Sequence, residues 1–527
     1  MRLLRRVPRG VWIGGAGLVL LLLIVLLVNP WGAGGTPPAV EAVAPTAIPS
    51  PTPAPTVTPV PTPTRRPFAG DIADLALRFD VEEALAHAEE LAADGYAGRQ
   101  GGSPGGRRAA EYIAGYLEAL GLEPAGTDAY LQPFMLPYAE EARLPELQIT
   151  GADGVVRDDL VFGEDFRHAM GGYAAGGEAE GEVVWLGGCG TSDYDAHEVR
   201  GDIVMCRHRP GVDQAAVAAE EGAEALLLVT GDERRIALKR ALSEAPKAEG
   251  IPTLLVSDAV FDLLLGAERP SSDLGLLDAT ARVTVELVQA GEAEGVNVLA
   301  ALPGAAPALR DRVLIVGAHF DHLGADPDGA IYNGANDNAS GTAALLEIAR
   351  SWREANYRPA VTVLFAAWDG EEQGLLGARH YVMNPRYPLS ATIGMIQLDM
   401  VGMADAGTLT YDGAANAVGR QLAASAERFE VPTGAVSWSG GSDHGAFLSA
   451  GVDAGLIIWD AAEVAYYHTP EDTAATLQPE RLRQAGVVVS HAALALIRAA
   501  EEGGPAPTAQ VVGRSLYSLG AAPLPVR

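Results

Sequence analysis

The chain has 527 residues, 48% of them hydrophobic, and 37 basic side chains against 68 acidic ones, a formal charge of −31. That apolar content supports at least one sizeable core, and the length suggests roughly two to four domains. The acidic excess disfavours a nucleic-acid partner, which needs a basic footprint. Two cysteines are too few for a disulfide-rich scaffold or a four-cysteine zinc site.

Arg2, Arg5, Arg6 and Arg9 precede an uncharged run over 11–28, just long enough to span a bilayer. A buried core helix is the plainer alternative, but the extreme N-terminal position and basic flank favour export. Basic residues on the short side place residues 1–10 in the cytoplasm and everything after the run outside. No clear A-x-A cleavage signal is present after it, so an uncleaved transmembrane anchor is expected; cleavage would make the protein secreted. Residues 36–67 hold 11 prolines and seven threonines, a composition that prefers extended polyproline II to a core. The stretch 29–67 reads as a stalk, able at about 3.1 Å per residue to hold the folded region as much as ~100 Å from the membrane.

The first part of the folded region, 68–177, opens with helical periodicity over 72–91 and 107–120, the second run closed by Gly121. Over 178–290 the pattern changes to short apolar strands at 182–186, 202–206, 225–229 and 253–256 among small helices, which reads as a separate inserted domain. From 291 to 500 apolar strands at 313–316, 360–367, 391–398 and 455–459 alternate with helical stretches. This is the pattern of an α/β fold with a mostly parallel sheet covered by helices on both faces. Residues 501–527 form a tail.

Such sheets bind ligands beyond the carboxyl ends of their strands, and the chemistry-bearing residues collect there. The first strand runs into Ala318-His319-Phe320-Asp321-His322, the second into Asp369-Gly370-Glu371-Glu372, the third into Asp399, and the fourth is followed by Tyr466-Tyr467-His468-Thr469-Pro470-Glu471-Asp472. Asn336-Asp337-Asn338 lies directly before an apolar helix. Imidazole and carboxylate ligands suit zinc, and a pair of zinc ions about 3.5–4 Å apart needs a bridging carboxylate, for which Asp337 is a good candidate. Adjacent Glu371 and Glu372 point different ways from an extended or turning backbone, so one can ligate while its neighbour faces substrate.

These five segments, in this order, resemble those of the co-catalytic dizinc exopeptidases of metallopeptidase family M-twenty-eight, which includes secreted leucyl aminopeptidases and aminopeptidase Y. The resemblance spans about residues 75–500 and implies a zinc-peptidase α/β/α sandwich with two zinc ions per chain. Carried over position by position, it implies that His319 and Asp399 hold one zinc, Glu372 and His468 the other, and that Asp337 bridges. It makes Glu371 the general base and Asp321 the acceptor for the second N–H of His319. Tyr467 matches a tyrosine that steadies the oxyanion. The stretches 199–204 and 221–225 resemble a protease-associated (PA) domain, familiar as an insertion in this family.

The resemblance implies an aminopeptidase acting on extracellular peptide or protein N-termini. A carboxypeptidase or dipeptidase on the same fold stays open, as, with less support, do a glutaminyl cyclase and a non-catalytic receptor-like module. His322 is left between a supporting and a merely structural role, and His87, His168, His197, His208, His380 and His491 are read as ordinary structural residues. Gly440 to Gly445, with Ser442, Asp443 and His444, is left between a rim loop of the pocket and a simple turn. Gly101-Gly102-Ser103-Pro104-Gly105 matches a nucleophile-elbow pattern, but Pro104 lacks the N–H that an oxyanion hole needs, so it is read as a loop. Cys189 and Cys206, at two strand ends of the inserted domain in an oxidising compartment, are expected to pair.

Overall fold

The computed structural model describes residues 67–151, 153–266, 270–403, 407–437, 441–459 and 466–503. The expected anchor at 11–28, nearly all of the stalk and the C-terminal tail lie outside these. Among the described residues no helix is long and apolar enough to cross a membrane.

Two nine-stranded sheets organise the chain. In the first, Val313–His319 lies between Thr362–Trp368 and Thr392–Leu398, and Thr392–Leu398 pairs with Ala454–Trp459, all in parallel. Antiparallel strands complete the sheet on both sides, at Leu287–Leu302 and Leu409–Tyr411. Along Val313–His319 the side chains alternate between two apolar layers. Leu314, Val316 and Ala318 enter a core with Trp352, Val488 and Leu494, whereas Val313 and Ile315 enter one with Trp368, Tyr381 and Phe447. Both faces are thus covered, as the continuous apolar strands require.

The second sheet alternates in the same way: Ile203, Met205 and Leu227 face one core, Val204, Cys206 and Leu226 the other. Its strands at Gly177–Trp185, Ile203–Arg207, Ala225–Val229 and Ile251–Val256 are those expected of the insertion. Upstream of the expected start at 178, Glu146–Thr150 and Phe166–His168 also pair into this sheet. These short antiparallel strands lie between polar, glycine-containing loops and carry too little apolar pattern to be seen in sequence. The last strand of the second sheet is Gly275–Val285, and Leu287–Leu302 belongs to the first, where it pairs with Leu131–Glu141. Cys189 and Cys206 form a disulfide with Cα atoms 5.7 Å apart.

The expected helix over 72–91 is two helices, Ile72–Ala76 and Val81–Leu91, because Asp80 caps the second by accepting from the Glu82 N–H at 3.1 Å. Ser103 caps helix Pro104–Ala119 by accepting from Gly106 N–H at 3.1 Å, and Pro104 occupies the first turn, where its missing N–H costs nothing. The apparent nucleophile elbow is therefore a helix start.

Candidate metal centre

The parallel strands converge at their carboxyl ends. His319 is the last residue of its strand, Asp399 directly follows Leu398, and Glu371 and Glu372 occupy the turn after Trp368. Asp337 sits in the irregular turn before helix Ser340–Glu354, and His468 lies beyond Ala454–Trp459. His319, Asp337, Asp399 and His468 are all buried. His319 Nε2 lies 3.2 Å from Asp399 Oδ1 and 3.4 Å from Asp337 Oδ1. On the other side of Asp337, His468 Nε2 is 3.3 Å from Asp337 Oδ2 and 3.1 Å from Glu372 Oε2. One carboxylate therefore faces two sets of donors, the arrangement a bridge requires.

His322 belongs to this cluster. Its Nδ1 is 2.8 Å from Glu372 Oε1 and 4.0 Å from Asp337 Oδ2, and with those two residues it forms a group able to hold a metal ion, as His319, Asp337 and Asp399 do. Glu372 thus offers Oε1 to His322 and Oε2 to His468.

Asp321 does something other than expected. Its carboxylate lies 3.6 Å from His319 Nδ1, too far for a hydrogen bond, and the nearer acceptor is the Asp321 backbone carbonyl at 3.3 Å. Its two oxygens instead accept the backbone N–H groups of Glu371 and Glu372, at 3.0 and 3.2 Å. Asp321 therefore aims the paired glutamates.

Three supports escape sequence reasoning. Arg99, fully buried, donates to four carbonyls: Nε to Phe320 at 2.7 Å, Nη1 to Leu91 and Asn333 at 2.6 Å each, and Nη2 to Gly334 at 2.8 Å. It ties together the loops that carry His319 and Asp337. Asp472 accepts from the N–H groups of Asn336 and Asp337 at 2.9 and 3.0 Å. Asp443 accepts from Gln397 Nε2 at 2.8 Å, and Ser442, Asp443 and His444 are all fully buried. The segment leads into helix His444–Ser449, and Gly441 and Gly445 line the cleft, as a rim loop would, while the three polar side chains between them are buried.

Burial pushes the Glu371 carboxyl well above its ordinary range against the pull of His319. Burial also acts to raise Glu372, but His468 and His322 outweigh it and hold that carboxyl well below the usual range. Burial lowers His468, yet Glu372 and Asp337 overcome it and raise the imidazole to about 10. Adjacent glutamates are thus driven apart, one toward a proton-carrying group and one toward an anionic donor.

The donor set fits a divalent metal. His468 Nε2 lies close to two carboxylate oxygens but makes no directed hydrogen bond to either. A buried imidazole nitrogen left without a hydrogen bond between two carboxylates suits a cation placed among them. Nitrogen and carboxylate donors without thiolate match zinc.

Tyr467 stacks on His468, ring centroids 3.7 Å apart and planes at 20°, while Tyr466 is 38% exposed. Tyr467 and His468 share a cleft of about 880 Å³ with Glu371 and Glu372, and residues of the second sheet's domain, including Arg167 and Lys239, form part of its wall. Of the six histidines read as structural, none joins the ligand cluster. His87 pairs with Tyr112 at 2.7 Å, His168 with Glu141 at 2.8 Å and His491 with Ser425 at 2.9 Å.

Residues 297–493 match the model of peptidase family M28, and residues 179–264 that of the PA domain. The chain is 36% identical over 190 residues to Aminopeptidase YwaD of Bacillus subtilis (strain 168), covering 34% of this chain and 40% of that one. It is 33% identical over 184 residues to Leupeptin-inactivating enzyme 1 of Streptomyces exfoliatus, again covering 34% and 40%. The matched stretch thus spans about two-fifths of these relatives' length. A solved aminopeptidase from Aneurinibacillus sp. strain AM-1 superposes with a TM-score of 0.63 at 25% identity, over 80% of this chain and 95% of that one.

Proposed function

We propose that this chain, which carries a peptidase family M28 domain and a PA domain, is a zinc aminopeptidase that removes N-terminal residues from peptides. The observation that carries this reading is the shared carboxylate: Asp337 faces His319 with Oδ1 and His468 with Oδ2, and Asp399 and Glu372 complete the two sets. In this reading His319 and Asp399 would hold one zinc ion and Glu372 and His468 a second, with Asp337 available to both. His468 is preferred to His322 as ligand because its Nε2 approaches both Asp337 and Glu372, whereas His322 meets Glu372 closely and Asp337 only at 4.0 Å. His322 then holds the glutamate in place.

Zinc at such a site supplies Lewis acidity, which lowers the pKa of water and polarises a carbonyl. Glu371, adjacent to the ligands and outside the donor set, takes the proton of the attacking water and delivers it to the leaving amine. The Tyr467 hydroxyl donates to the oxyanion as charge develops, and its ring keeps His468 in place. The names of the matched relatives support an N-terminal cut. The N-terminal run at 11–28 would anchor the enzyme with its folded part outside the cell.

The test is the zinc-loaded full chain assayed on leucyl peptides with free, N-acetylated or C-amidated ends. Free and C-amidated peptides should release leucine and N-acetylated ones should not. A requirement for a free carboxylate would instead make it a carboxypeptidase or dipeptidase.

A further inference from the structure

The PA domain reaches the ligand cluster itself. After the short helix Arg234–Ala237, the backbone carbonyl of Lys239 comes to 3.1 Å from Nδ1 of His468. A carbonyl only accepts, so Nδ1 carries the proton there, and in the neutral ring Nε2, which faces Asp337 and Glu372, is left free to ligate. His468 has φ +57°, a left-handed conformation uncommon outside glycine, so an external hold on its ring matters.

The Lys239 side chain fixes the carbonyl in turn. Its Nζ donates to Asp326 Oδ1 at 2.7 Å and to the Ala325 carbonyl at 3.0 Å, and lies 4.8 Å from the centre of the Tyr332 ring. The Tyr332 hydroxyl donates to the other oxygen of Asp326 at 2.9 Å. Arg167 donates to the Ile236 carbonyl at 2.6 Å, steadying the helix before the turn, and its Nη1 lies 3.8 Å from Asp326 Oδ2. Lys239 of the PA domain and Arg167, on a strand paired to the same sheet, thus close on one buried carboxylate of the peptidase domain.

We propose that the Lys239–Asp326 ion pair is a latch that makes the PA domain part of the metal centre, holding the Lys239 carbonyl on His468 and so setting that ligand's tautomer and direction. The inference rests on the two-zinc reading above. Lys239 and Asp326 are positioning residues that act through His468. Partners of this kind, when removed, typically weaken metal binding by ~10- to 100-fold. Coupling is reciprocal, so zinc at the His468 site also tightens the docking of the PA domain.

The test uses the full chain in detergent, stripped of metal and titrated with Zn²⁺, and with Co²⁺ for its absorption spectrum. Lys239→Ala should weaken one of two binding events by ~10- to 100-fold and leave the other within about twofold. Asp326→Asn should do the same from the other side of the pair, and Lys239→Arg should restore most of the loss. At saturation, the cobalt bands of the weakened site should shift in the alanine variant. Circular dichroism identifies a variant that has not folded, and Asp326→Asn, which keeps an acceptor for Tyr332, then decides. If wild type binds fewer than two zinc ions, the two-zinc reading falls and takes the latch with it. If wild type binds two and folded Lys239→Ala and Asp326→Asn bind both within about twofold, the reading stands and the latch is wrong. Equal weakening of both sites would also overturn it, by making the contact a matter of general stability.

Discussion

Arg99→Lys separates the geometry beneath the metal centre from its charge. Both side chains are cationic, so attraction to Asp472, Asp321, Asp337 and Glu372 survives the change. What is lost is the planar fork that serves four carbonyls at once. An ammonium has three donors on one atom and cannot reach four acceptors spread around a guanidinium. If lysine keeps two of them, two buried carbonyls lose their partner at about 1–3 kcal/mol each, giving a loss of about 2–6 kcal/mol. Urea unfolding followed by tryptophan fluorescence reads the peptidase domain through Trp352, Trp368 and Trp459, all fully buried. Zinc content should fall as well, because Phe320 adjoins His319 and Gly334 lies three residues before Asp337. A loss below about 0.5 kcal/mol, with zinc retained, would refute the view that Arg99 organises these loops.

Glu371→Gln should keep its metal and lose turnover by ~10² or more, since an amide cannot carry the water's proton; metal analysis beside steady-state kinetics checks both halves. Tyr467→Phe should lower kcat by ~10² to 10³ with metal content unchanged, while exposed Tyr466→Phe should behave as wild type. The reverse pattern would shift the register of this loop by one residue. Stability should also depend on pH through Glu347, whose fully buried carboxyl is raised to about 7 because burial outweighs its hydrogen bonds to Arg350 and to the Asp80 N–H. A raised acid favours the protonated folded state, so this contribution is present below about pH 4.5 and is lost as the pH rises through 7. Unfolding midpoints of wild type and Glu347→Gln between pH 4.5 and 8 should show a downward slope that is reduced in the variant.

The parallel core of the fold was legible because strands covered on both faces are continuous apolar runs, and each ends in a polar cluster. The site residues His319, Asp337, Glu371, Glu372, Asp399 and His468 stood out for the same reason. Arg99 did not, because in sequence it is one cation in a glycine-rich turn and its role comes from carbonyls more than 200 residues away. The Lys239 contact is hidden more deeply, since a backbone carbonyl leaves no trace in residue identity. Asp321 shows a third limit: the resemblance implied an imidazole partner, but its oxygens meet the backbone of Glu371 and Glu372. The strands at Glu146–Thr150 and Phe166–His168 that join the second sheet were not legible, because runs of five and three residues carry almost no periodic signal.

The proposed two-metal centre is tested most directly by native mass spectrometry of the zinc-loaded chain, wild type beside Asp337→Asn. Wild type should hold two zinc ions, and the variant should lose hold of both, because Asp337 faces His319 with one oxygen and His468 with the other. Full activity with a single zinc, or two zinc ions retained in Asp337→Asn, would contradict it.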